Sequence, residues 1–392
     1  MSLAIVIQEY GRLPDVRLTH DQASWLQETG MIDVVPSRGS DNYLLKARSI
    51  VGVVASREGW TLRICPKVPI NRLVFLLGFA YELANWDEEI ILQDEVKSLE
   101  VGMAEAFAEA VEKALRRGPR QSYVERNDDL MEFRGKVDVN RQMNRLGLLV
   151  PISVTFDDFV IDIPENQLIL GAALLLTKLP DIAPSELRLR LRRIIARLDG
   201  VQSARKEHWS LPVNFSRLNS DYEPAVALSR AILQNVSFDI SDGGLAVSGF
   251  NVDMNVLFEK FVAKALGREL ADHPGRLSAK QTGLHLDRAG EVQIIPDLTW
   301  MVDEVVELVL DTKYKDPESG SPENPDLYQM VAYCAGLGAR RALLIYPTSR
   351  VQGCYETKHL GVTVDAVSLD LGASLDDLKR QIAELASLIS NS

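Results

Sequence analysis

The sequence predicts a multidomain chain of mixed α+β and α/β character. It has a β-rich N-terminal domain, a helical middle, and a C-terminal αβ domain with a mixed sheet. Three observations predict this. Short apolar runs separated by Gly, Ser, Asp and Asn crowd the first 70 residues, which is a strand pattern. Apolar and amphipathic runs with start and stop signals dominate the middle. After Val252 the patterns read helix, hairpin, helix, strand, which places helices against a sheet. At 392 residues the chain has room for two or three domains. We divide it at 1–150, 151–250 and 251–392.

The first strands are expected at Leu3–Ile7, Ile32–Val35, Tyr43–Leu45, Ile50–Ala55 and Trp60–Cys65. A helix interrupts them near His20–Glu28, with Thr19 or Asp21 as its start signal. Pro66-Lys67-Val68-Pro69 closes this part. Helices follow at Asn71–Leu83 and Leu99–Arg117, and Gly118-Pro119 ends the second. Tyr123–Arg134 suggests an extended pair. Residues 150–182 give a strand and then a helix over Asn166–Lys178, with Pro164 at its start. Ser185–Leu198 is an Arg-rich amphipathic helix, and Tyr222–Gln234 is another. Val236–Phe250 reads as a hairpin turning at Asp242-Gly243-Gly244.

The last third carries the chemistry. Ile294-Ile295-Pro296-Asp297 is an apolar strand ending in an acid. Glu307–Lys313 is a second strand, ending in Asp311-Thr312-Lys313. Strand residues i and i+2 share a face, so Asp311 and Lys313 project together. A turn centred near Asp303-Glu304 puts Asp297 roughly opposite Asp311, where cross-strand Cβ atoms lie about 5 Å apart. Two carboxylates and one ammonium then converge. That set suits a hard divalent cation such as Mg²⁺ and the hydrolysis of a phosphodiester. The helix beginning at Leu257 carries Glu259, which could turn toward the metal. A helix over Asp326–Tyr333 sets Gln329 and Tyr333 one turn apart on one face. A strand at Ala342–Pro347, a C-cap at Gly336-Leu337-Gly338 and an amphipathic helix at Ser374–Ile389 complete the unit.

Composition narrows the function. No apolar run is long enough to span a bilayer, and the first residues lack the features of a signal peptide. The three cysteines are widely spaced and form no Cys-x-x-Cys, so neither a disulfide framework nor a zinc site is indicated. A reducing cytoplasm is the simple inference. No Gly-x-x-x-x-Gly-Lys-Ser/Thr occurs, so no nucleotide site is expected on this chain. The net charge is −12, although phosphate binding needs Lys and Arg. Residues 251–392 hold 14 Lys/Arg and 21 Asp/Glu and should grip DNA poorly alone. Residues 184–206 are basic, with seven Lys/Arg against two acids. Arg188, Arg192 and Arg193 are therefore the candidate DNA contacts, against the ordinary alternative of a solvated helix face.

Pro296-Asp297…Asp311-Thr312-Lys313 resembles the PD-(D/E)xK nuclease signature. Gln329-x-x-x-Tyr333 resembles the helix that follows the catalytic strand in several such families. Pro66–Ile70, Glu132–Asp138, Asp162–Leu168, Asn255–Glu259 and Tyr328-Gln329-Met330, in this order with the acids, are similar to the McrC family over nearly the whole chain. The resemblance implies the nuclease subunit of a McrBC-type, modification-dependent restriction system. It implies a C-terminal PD-(D/E)xK, restriction-endonuclease-like domain, with Asp297 and Asp311 on Mg²⁺, or Mn²⁺ in its place. Lys313 would orient the attacking water or stabilise developing charge. Glu259, as a further metal ligand, and Gln329 would support them.

The implied partner is an McrB-like AAA+ GTPase hexamer, which docks the N-terminal part and is stimulated by it. The partner also reads modified cytosine in double-stranded DNA. Two other readings stay open. One is a catalytically inactive activator of an AAA+ ring; the other is a repair nuclease working with a helicase.

Overall fold

Residues 50–54 pair antiparallel with residues 249–253, Val51 opposite Val252 and Gly52 opposite Asn251. This pairing ties the first eighty residues to the last third of the chain. The approach is close. A Cβ on Gly52 would sit 2.0 Å from the Phe250 carbonyl oxygen, and one on Gly249 would sit 2.0 Å from that of Val53. Gly52 also holds φ at +129°, a conformation that L side chains rarely adopt.

A computed structural model describes residues 3–37, 42–81, 98–144, 149–179, 182, 185–209, 213–216, 219–241, 244–317 and 319–390. Two compact units result, one of residues 1–80 with 248–392 and one of residues 100–247. Strand pairing rather than chain order joins the two ends of the chain in the first unit.

In the first unit, Ala4–Gln8 runs parallel to Thr61–Cys65, which is antiparallel to Ile50–Ala55. Ile5 and Ile7 point inward while their neighbours are exposed, the period of two that a half-buried strand requires. Arg12–Arg17, Asn42–Ala47 and Ile32–Pro36 form a small sheet beside it in that order. The strand Arg12–Arg17 was not expected from the sequence, since Pro14 and Asp15 interrupt its apolar pattern. The helix His20–Glu28 lies where expected. The Thr19 hydroxyl accepts from the Gln22 N–H, and the Gln22 side chain accepts from the Thr19 N–H. This satisfies two of the amides a helix start leaves open. The helix Ile70–Ala80 packs on Met254–Glu269 through Phe75 and Phe79, whose rings lie 6.4 and 5.3 Å from that of Phe261. The expected end of the first of these helices, to Leu83, lies outside the described residues.

The C-terminal sheet is mixed. Its strand order is Arg276–Ala279, Leu298–Val302, Val305–Thr312, Arg341–Tyr346, Thr363–Ser368, Gly353–Glu356. The three central neighbours Val305–Thr312, Arg341–Tyr346 and Thr363–Ser368 are parallel, and the flanking pairs are antiparallel. Parallel neighbours need a crossover, and the helix Asn324–Leu337 supplies the first one. Met330, Tyr333 and Cys334 of that helix bury against Val309, Leu344 and Tyr346. The helix stops at Gly338 with φ +74°, as the C-cap reading expected.

In the second unit, Ser122–Leu130 pairs antiparallel along its whole length with Ile152–Val160, and Lys136–Val137 lines the other side of that strand. The extended pair expected within Tyr123–Arg134 is therefore corrected. That segment is one strand, and its partner lies some thirty residues on. The helices Pro164–Leu176, Ser185–Arg197 and Glu223–Asn235 pack together below it. Strands occur at Val236–Ser241 and Gly244–Asp253. The turn expected at Asp242-Gly243 lies outside the described residues.

Candidate active site

The two acids meet through the hairpin Leu298–Val302/Val305–Thr312. Asp303 and Glu304 have φ of +49° and +63°, and Val302 faces Val305 across them. Two consecutive residues at positive φ make the tight turn whose twist suits paired strands. Counting back, a bulge at Trp300/Met301 is absorbed and Leu298 pairs with Leu310. Asp297 and Asp311 are thus neighbours at the open end of the hairpin.

Asp311 is 3% exposed. Its Oδ2 lies 2.5 Å from the Lys313 ammonium, which is its counter-charge. Burial first, and then the charge of Asp297, push the Asp311 carboxyl up to about 6, against the pull of Lys313. Asp297 is held differently. Its Oδ2 accepts from both the N–H and the hydroxyl of Thr312, each at 2.8 Å.

Lys313 donates to the Gln329 side-chain oxygen at 2.8 Å, and the Gln329 amide nitrogen donates to the Tyr333 hydroxyl at 2.7 Å. Tyr333 donates in turn to the Ile295 carbonyl at 3.1 Å. The one-turn spacing of Gln329 and Tyr333 thus links the helix to Lys313. Glu259 pairs with Lys280 at 3.0 Å. Burial and the nearby Asp297 raise its carboxyl above the usual range, and Lys280 opposes them.

These residues line one cleft of about 400 Å³, together with Tyr10, Asn255, Tyr314, Lys315 and Asp326. The sequence reading did not single out these five as site residues, nor Lys280 or Thr312. Lys315 lies in the loop after the strand and pairs with Asp326 at 2.9 Å and Glu323 at 2.6 Å, and the Tyr346 hydroxyl donates to Asp326 at 2.7 Å. Its two-residue spacing from Lys313 was the one available signal.

Among the described residues no three His, Cys, Asp or Glu side chains assemble into a ready metal cage. Mg²⁺ does not need one. It commonly takes one or two carboxylates, keeps several waters and accepts substrate phosphate oxygens. The buried Asp311 and the oriented Asp297 fit such an ion, and carboxyls held above their ordinary range in a cleft are a mark of functional sites.

The candidate DNA residues belong to the other unit. Leu187, Leu191, Ile194 and Leu198 bury one face of the helix Ser185–Arg197. Arg192 and Arg193 are exposed. Arg188 donates to the Ile182 carbonyl at 3.1 Å, Arg190 holds Glu112 through two bonds, and Arg197 reaches the Leu115 carbonyl. Part of the positive surplus is therefore used within the unit.

A family model described as McrBC 5-methylcytosine restriction system component matches residues 45–347. The chain belongs to this family. No curated protein matches it. Among solved structures it resembles a chain of the tetradecameric assembly of Thermococcus gammatolerans McrB AAA+ hexamers with bound McrC. The identity is 20%, 98% of this chain and 100% of that chain are covered, and the TM-score is 0.62. A chain of the Thermococcus gammatolerans McrBC complex also matches, at 24% identity over 69% of this chain and 89% of that one, with a TM-score of 0.43. The first of these likenesses supports a shared fold over almost the whole length of this McrBC family member. Among its described residues no helix is long and apolar enough to cross a membrane.

Proposed function

We propose that this chain is the nuclease subunit of an McrBC-like restriction complex, with a PD-(D/E)xK domain that hydrolyses DNA phosphodiesters with Mg²⁺. The observation that carries the reading is Asp311. A carboxylate that is 3% exposed, beside a second carboxylate and balanced by a single lysine, is costly unless a cation completes it.

Asp297 and Asp311 would hold the ion, and Glu259 would join them once released from Lys280. When bound, Mg²⁺ polarises the scissile phosphate and makes water a better nucleophile. Lys313, aimed by Gln329, offers its ammonium to the attacking water or to the charge that grows on the phosphate oxygens. Tyr333 fixes Gln329 so that the lysine has one preferred direction.

The partner in this reading is an McrB-like AAA+ GTPase ring. The Thermococcus gammatolerans assembly is described as McrB AAA+ hexamers with bound McrC, and the family is named for 5-methylcytosine restriction. Recognition of modified cytosine is left to that partner. Residues 251–392 carry a surplus of seven negative charges, which suits a cutter that depends on another protein to bring it DNA.

The test is cleavage of methylated DNA by the assembled complex with Mg²⁺ and GTP. Asp297→Ala, Asp311→Ala and Lys313→Ala should each abolish cutting while GTPase stimulation persists. Full cutting by Asp311→Ala would overturn the assignment. Point variants are the right tools here. A fragment ending near Gly249 would strip the strand that residues 50–54 pair with.

A further inference from the structure

We propose that Glu9 and Tyr10, in the turn that follows the first strand Ala4–Gln8, are positioning residues for the lysine of the nuclease site. They act through Tyr314, the residue that follows Lys313. The inference rests on the nuclease reading above and adds to it a route from the N-terminal sheet to the catalytic lysine.

Lys313 stands where the chain leaves the sheet. Its N–H still donates to the Ile345 carbonyl at 2.9 Å, and the Lys315 N–H turns back to the Lys313 carbonyl at 2.8 Å. That is a three-residue turn centred on Tyr314. So small a turn fixes little by itself, and a lysine at its base would swing with it.

Two consecutive residues from the far end of the sequence clamp that turn. The Tyr10 hydroxyl donates to the Tyr314 carbonyl at 2.6 Å. The Tyr314 hydroxyl donates to Glu9 Oε1 at 3.0 Å. Backbone and side-chain tip of one residue are therefore held at once.

The clamp is built, not incidental. Glu9 is 1% exposed. The Lys67 N–H donates to the same Oε1 at 2.6 Å, while Oε2 is buried without a hydrogen-bond partner. Burying a carboxyl this way is unfavourable for the fold alone. Tyr10 has φ +58°, a left-handed conformation that is an outlier for a bulky side chain. Such strain persists where the surroundings over-determine it, and it gathers at functional sites. Tyr10 also lines the cleft. The Tyr314 ring sits beside those of Phe258 and Tyr10, at 6.0 and 6.5 Å between centroids, so it cannot drift without repacking.

The experiment uses the full chain assembled with its GTPase partner. Tyr10→Phe keeps the ring and removes one O–H. It should lower kcat for DNA cleavage on the order of tenfold, since small misplacements of a reacting group cost that much or more. KM for DNA and GTPase stimulation should be unchanged, and hydrogen exchange at the amides of residues 312–316 should quicken. Glu9→Gln, which keeps an acceptor for Tyr314, should retain most of the rate that Glu9→Ala loses. A kcat within twofold of the parent with unchanged exchange would overturn the proposal. So would a parallel loss of melting temperature and GTPase stimulation, which would mark the pair as purely structural. Faster exchange in a complex whose unaltered form never cuts DNA would leave the clamp standing and defeat the nuclease reading instead.

Discussion

Thr312 gives both its backbone N–H and its hydroxyl to a single oxygen of Asp297. The strand that carries Asp311 thereby also orients the other acid. Asp297 Oδ2 is occupied, so the remaining oxygen is turned to any ion by the same two bonds. Groups that orient metal ligands typically matter 10–100-fold in affinity. Thr312→Val should weaken Mn²⁺ binding by about tenfold, measured by calorimetry or electron paramagnetic resonance, whereas Thr312→Ser should bind as the parent does. Equal affinity for all three would deny Thr312 this role.

Lys313, Gln329, Tyr333 and the Ile295 carbonyl form a chain of three hydrogen bonds. Members of one network are not additive. Gln329→Ala should reduce cleavage strongly, and Tyr333→Phe more mildly, because the glutamine keeps its bond to the lysine. The double variant should be no worse than Gln329→Ala. Additive losses in single-turnover rates would show that the tyrosine acts elsewhere.

Acidity gives a prediction whose sign can be checked. The Asp311 carboxyl rises from an ordinary 3.8 to about 6, burial being the largest cause. Between those values the folded chain holds a proton that the unfolded chain releases, so the contribution of Asp311 to stability is greatest below pH 3.8 and is lost as pH rises through 6. Asp311→Asn cannot ionise. Without divalent metal it should be more stable than the parent at pH 8, by on the order of 2 kcal/mol, and the two should converge near pH 4. Mg²⁺ should narrow the gap at pH 8, because the ion requires the ionised form. Urea unfolding at the two pH values decides it; a parent more stable at pH 8 would contradict the assignment.

What the sequence made legible was local. The turn at Asp303-Glu304 follows from strand arithmetic, and that turn sets Asp297 beside Asp311. The start at Thr19 and the stop at Gly338 are likewise signals carried by a few neighbouring residues. The long-range relationships had no such signal. Nothing in residues 249–253 announces residues 50–54 as their partner, and nothing in Glu9-Tyr10 announces Tyr314. Thr312 was hidden by the alternation rule itself, which sets it on the opposite face from Asp311 and Lys313, although its hydroxyl reaches Asp297 at the strand end.

The ribbon Ser122–Leu130/Ile152–Val160 and its loop leave Tyr123, Met131, Phe133, Leu149 and Phe159 exposed. Met131, Phe133 and Leu149 lie past the end of the ribbon opposite to the Tyr123–Phe159 pair, and that end is a candidate interaction surface. If this ribbon meets the GTPase ring, Phe133→Ser with Met131→Ser should raise the concentration needed for half-maximal GTPase stimulation about tenfold. Cleavage should fall only in proportion to the complex formed. Stimulation at the parent's concentration would place docking elsewhere.

The Arg-rich helix now divides into residues with different expectations. Arg188 is engaged with the Ile182 carbonyl, and Arg190 and Arg197 with Glu112 and the Leu115 carbonyl. Arg192 and Arg193 are exposed and remain the candidates for DNA. Each phosphate contact contributes roughly −0.9 to the slope of log affinity against log salt. Arg192→Glu with Arg193→Glu should weaken DNA binding by the assembled complex and flatten that slope by about two, with the melting temperature unchanged. Arg188→Glu should instead lower the melting temperature, since it loses a bond to a carbonyl inside the unit. Filter binding across a salt series, paired with thermal unfolding, separates the two effects. An unaltered slope in the double variant would make this face an ordinary solvated one.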